Sequence, residues 1–118
     1  MSTLVASLSG PNDISVTTVS ILNNQSTAVD IGVGSSKLSF SNTSVQSFMV
    51  VYNVVRSTTV EAGTMTGVWN GSAWEYSHEF TGDAGMDFEM TTAGQVQYFS
   101  DNTNAGTMTF RATTTLDQ

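Results

Sequence analysis

A chain of 118 residues has room for one hydrophobic core and reads as a single domain spanning 1–118. It holds 16 serines and 18 threonines, while Asp, Glu, Lys and Arg make only 11% of the residues, so hydroxyls rather than charges wet its surface; Val and Thr together supply 31 β-branched residues, an all-β composition. The net charge of −7 leaves no basic face for phosphates and excludes nucleic acid and anionic lipid as expected partners, and the absence of cysteine excludes disulfides and thiolate metal sites.

The chain opens on Leu4, Val5, Ala6 and Leu8 before Gly10-Pro11-Asn12-Asp13, a pattern that predicts a first strand or a docking arm over residues 1–13 closed by a turn. Met1–Val5 lacks the basic start of a signal peptide and no apolar run approaches a membrane span, so export by lysis or inside a particle is expected and membrane insertion is not. Ile14–Leu22, Thr27–Val33 and Lys37–Phe40 read as strands, separated by turns at Asn23–Ser26 and Gly34–Ser36. Phe48–Val55 differs, being apolar at nearly every position. Such a strand needs cover on both faces. Either it is central and buried inside one subunit, or its second face, through Phe48, Val50, Val51, Tyr52 and Val54, meets a neighbouring copy; the latter is the expectation. About 600 Å² of apolar surface buried per subunit would contribute on the order of 15 kcal/mol before association entropy is charged against it.

Gly63–Trp69 and Ala73–Phe80 flank Asn70-Gly71, a strong hairpin signal because Asn-Gly accepts positive φ at both central positions. A two-residue loop pairs Gly67 with Trp74 and Met65 with Tyr76. It places Met65, Trp69, Trp74, Tyr76, His78 and Phe80 on one face. Beyond Thr81–Gly85, Met86, Phe88 and Met90 alternate with Asp87, Glu89 and Thr91; Val96 and Tyr98 point inward, and Met108, Phe110 and Ala112 alternate with Thr107, Thr109 and Arg111. The expected fold is an antiparallel β-sandwich of eight or nine short strands, jelly-roll-like, with an open barrel as the alternative.

Several segments have a shared pattern: Tyr52-Asn53-Val54-Val55-Arg56, then Gly63-Thr64-Met65, Gly82-Asp83-Ala84-Gly85-Met86-Asp87-Phe88, Gln95-Val96-Gln97-Tyr98, and Gly106–Ala112 with its Arg111. With Ile21–Ala28 before them, they resemble the small β-domains of bacteriophage fibre tips and virion surface proteins, similar tips occurring in some bacterial fibres. The resemblance covers roughly residues 14–116. It implies a trimeric sandwich on a particle or fibre surface and carries over no catalytic residue. Phe99-Ser100-Asp101-Asn102 departs from the group's usual Thr-Ser-Thr-Asn.

Catalytic sets are not apparent. His78 is the only histidine and no Gly-x-Ser-x-Gly elbow accompanies it, while Glu75 with Glu79 and Asp87 with Glu89 lie on solvent faces of regular alternations. Asp83, Asp87, Glu89 and Asp101 lack the dense spacing of a calcium loop, so neither metal nor cofactor is expected. Trp69 and Trp74 either cap the core, Trp74 covering Gly67, or present rings to a sugar. The expected contact residues are Trp69, Asn70, Trp74, Asn102 and Asn104, on loops grouped at one end of the sandwich. The resulting expectation is a non-enzymatic structural protein of a virion or fibre surface: a decoration protein, spike or fibre tip. It is expected as a homotrimer, extracellular on the virion, partnered by other virion or fibre proteins and by cell-surface polysaccharide. A secreted carbohydrate-binding module is the rival.

Overall fold

The computed structural model describes residues 16–34 and 37–116; the expected arm over 1–13 and two residues of the expected 34–36 turn lie outside them. Among the described residues there are eight strands: β1 (Thr17–Ile21), β2 (Gln25–Asp30), β3 (Val45–Arg56), β4 (Thr59–Trp69), β5 (Trp74–Gly82), β6 (Met86–Met90), β7 (Val96–Ser100) and β8 (Gly106–Leu116). They form two antiparallel sheets, ordered β1-β8-β3-β4-β5 and β2-β7-β6. The expected sandwich is therefore present. Consecutive strands switch sheets from β1 to β2, β2 to β3, β5 to β6 and β7 to β8, as in a jelly roll, whereas β3-β4-β5 is a meander kept within one sheet.

Period-two burial explains the core. On β3, Phe48, Val50, Tyr52, Val54 and Arg56 are buried and Met49, Val51, Asn53 and Val55 are exposed. Met108, Phe110 and Ala112 of β8 and Met65 of β4 extend that inward surface, and Met86, Val96 and Tyr98 answer it from the smaller sheet. Four of the five residues expected at a subunit interface, Phe48, Val50, Tyr52 and Val54, thus face the domain's own core, and Val51 alone faces outward. The apolar run is two-sided in composition, but its larger side chains fall on the inward phase.

The β4–β5 hairpin also departs from expectation. Its loop has four residues, Asn70 to Ala73, and Trp69 pairs with Trp74, Gly67 with Tyr76 and Met65 with His78. Asn70 closes it: its Oδ1 accepts the amides of Ser72 and Ala73, both at 2.9 Å, and its own amide donates to the Ala73 carbonyl at 3.0 Å. A slip of two residues leaves every side chain on its original face, so the expected face set survives the wrong register. Gly67 is covered not by Trp74 but by Phe48, whose ring occupies the space of a missing Cβ, and Gly63 lies beneath the Tyr52 hydroxyl. In both places an aromatic side chain of β3 comes close to a bare glycine of β4, by its ring at Gly67 and by its hydroxyl at Gly63.

Lys37–Phe40 is not a strand; Ser39 makes an isolated bridge to Gln95, while Leu38 and Phe40 plug the core. Phe40 stacks on Phe48 at 4.2 Å with planes 4° apart.

Candidate functional site

The smaller sheet has three strands and the larger five, so the inner face of β5 extends beyond its cover. Trp74 sits over the core, 7% exposed, but Tyr76 and Phe80 on the same face are 42% and 50% exposed. His78 lies between them. It stacks on Phe80 at 4.9 Å and 19°, and Phe88 of β6 meets it edge-on at 4.9 Å. The result is a shelf of three rings along one strand face, ~7 Å apart at their Cα atoms, with its inner margin set against Phe88.

A buried polar chain holds the centre of this shelf. The Tyr52 hydroxyl donates to Glu61 Oε2 at 2.5 Å and is 2.5 Å from His78 Nε2. Since its one proton goes to the carboxylate, His78 Nε2 donates to the phenol oxygen, which fixes the imidazole tautomer. Glu61 is 2% exposed, and its Oε1 accepts the Ala84 amide at 3.0 Å. Burial, reinforced by the Glu61 charge, pushes the Tyr52 phenol far above its ordinary value. Desolvation holds the His78 imidazole below its ordinary value, against the opposing pull of Glu61 and Asp87. Glu61 and Tyr52 are both buried, so the chain of bonds orients the His78 ring from within, while desolvation rather than the chain disfavours its protonated form.

Arg56 anchors the adjoining end. It is fully buried, and its guanidinium donates to the carbonyls of Asn104 (2.8 Å), Ala84 (3.1 Å) and Leu22 (2.9 Å). That planar fork ties three loops to the end of β3.

The expected contact residues fall into two groups that the fold separates. Trp69, Asn70 and Trp74 sit where β4 turns into β5, with the two indoles 5.5 Å apart. Asn102 and Asn104 sit at the other end of β4, since the Asn102 amide donates to Thr59 Oγ1 at 3.2 Å, and the 11 residues of β4 span ~35 Å. One end therefore does not gather them. Trp74 is buried and Asn70 is occupied by its own turn, its Nδ2 also donating to Glu75 at 2.8 Å. Asn102 closes its loop through Oδ1 and the Asn104 amide at 2.8 Å. Of the five, Trp69 and Asn102 are half-buried and Asn70 and Asn104 are exposed. Among the described residues no three His, Asp or Glu side chains converge to hold a metal.

The shelf itself escaped the sequence reading, although Tyr76, His78 and Phe80 were assigned to one face. Alternation marks a face but not what covers it.

Comparison with solved structures gives a likeness of fold. No family model matches the chain, and no curated protein does. The fold is similar to the tailspike protein of Acinetobacter phage vB_ApiP_P1, with a TM-score of 0.55 and 11% identity over 98% of this chain. The chain spans 24% of that tailspike's length. At this identity the likeness is one of fold, a β-sandwich that also occurs within a phage tailspike.

Proposed function

We propose that this chain is a non-enzymatic binding domain of a bacteriophage surface structure, and that it holds bacterial surface polysaccharide on the Tyr76–His78–Phe80 shelf. The observation that carries this reading is the uncovered inner face of β5. Exposed rings held rigid from behind suit the apolar face of a pyranose, whose hydroxyls meet the surrounding polar groups. The fold shared with a phage tailspike supports a place on the virion surface, as does the hydroxyl-rich, acidic composition. A ring presented by a buried hydrogen-bonded chain loses little freedom on binding. The test is retention of the purified domain on a printed array of capsular and lipopolysaccharides, with products analysed for chain cleavage. Retention without cleavage is expected. Cleavage, or an array without a single retained spot, would overturn the reading.

A further inference from the structure

Among the described residues the outer face of the five-stranded sheet has no partner, and its composition is not that of a face built only for water. Met49, Val51 and Val55 of β3, with Val60 and Val68 of β4, are 40% to 57% exposed. They form the middle of the face. Toward the edges the apolar columns give way to threonines on β8 and to Glu75, Ser77, Glu79 and Thr81 on β5.

Charge is placed on this face with a handedness. The chain has three Lys and Arg residues. Arg56 is buried, and Lys37 pairs with Asp30 at 3.3 Å, which leaves Arg111 as the exposed cation without an ion pair among the described residues. It stands on β8, one strand to one side of β3. Cross-strand register runs Arg111–Val51–Thr64–Glu79 across four strands. Cation and carboxylate thus occupy one row near the middle of the face, three strand spacings or ~14 Å apart, too far to meet within one copy.

We propose that a second copy of this chain covers this face, with Arg111 of each copy against Glu79 of the other. Rotation about an axis parallel to the strands and over the β3–β4 boundary exchanges the two sides of the sheet while keeping every row at its height. Arg111 then meets Glu79, and Val51 meets Thr64, in both directions. Rotation about an in-plane axis across the strands would instead set Arg111 on Arg111 and β5 carboxylates on each other. Charge selects the first arrangement. Twist makes stacked sheets diverge toward their ends, so the match is best in a central row, where the pair lies. With the axis there, β8, β3, β4 and β5, of 9 to 12 residues each, face their counterparts while β1 overhangs, which covers roughly 600 Å² per copy, the lower end of a stable protein interface.

Sedimentation equilibrium of the full chain from about 1 to 200 µM tests this. The wild type should self-associate. R111E and E79R should each weaken association at least about tenfold, and the R111E/E79R exchange should restore it to within about threefold; circular dichroism confirms that each variant is folded, as both sites are exposed. A dimer or a trimer keeps the contact, since a three-fold axis along the strands brings the same two sides together. A wild type that is monomeric at 200 µM, as expected if a different protein occupies the face, overturns the proposal. So do single variants that associate like the wild type, or a double variant that stays as weak as the singles.

Discussion

Tyr52 is the residue on which the inner architecture turns. Its hydroxyl lies against Gly63 and links a buried carboxylate to the imidazole of the shelf. Tyr52→Phe keeps the ring but leaves Glu61 Oε2 without its donor and His78 Nε2 without its acceptor. Two groups so orphaned should cost about 2–4 kcal/mol, read as a lower urea midpoint with an unchanged slope. His78 supplies a second prediction. Its folded-state value is held below the ordinary imidazole value of about 6.5, chiefly by desolvation. As pH falls through that ordinary value, the unfolded chain takes up a proton that the folded one resists. Stability should therefore be full above pH 6.5, decline as pH drops through the window down to the folded-state value, and level off below it. His78→Gln should flatten that part of the profile, and the wild-type imidazole proton resonance should titrate below 6.5.

Strands and turns explain which parts of the fold were legible in the sequence. The alternations at Met86-Phe88-Met90 and Met108-Phe110-Ala112 fixed their phase, because apolar and polar residues strictly exchange there. Phe48–Val55 did not reveal its phase, since both sides are apolar and only packing decides that the aromatic side goes inward. Arg56 and Glu61 were legible in principle, as each continues the inward phase of its strand, but a charge on that phase is rarely core unless its partners are known, and those partners are carbonyls and amides from distant loops. The register of the Asn70-Gly71 turn was lost to side-chain chemistry: the Asn70 carboxamide stabilises a wider loop than its dipeptide signature implies. Gly94 shows how strongly a turn is specified. Its φ is 102°, and a Cβ there would run into the Phe40 carbonyl, which accepts no displacement because Phe40 is buried and stacked. Gly94→Ala should cost about 3 kcal/mol or more, measured as a fall in Tm.

At the scale of the whole molecule, the proposed function follows from an inequality of areas. A five-stranded sheet facing a three-stranded one must leave inner surface bare, and here the bare surface carries Tyr76, His78 and Phe80. No local pattern in the sequence announces it, because strand number per sheet is decided by where the chain crosses from one sheet to the other. The two loops that looked adaptable are instead drawn to opposite ends and closed by their own side chains. The central claim is that the shelf, rather than either loop, makes the contact. It is tested most directly by comparing array retention of the wild type, the Tyr76→Ala/Phe80→Ala variant and the Trp69→Ala/Asn104→Ala variant on the same bacterial polysaccharides. With all three folded, loss of at least about tenfold in apparent affinity for the shelf variant alone is predicted, as removal of two stacking rings requires. Full retention by the shelf variant, with loss confined to the loop variant, would contradict the account.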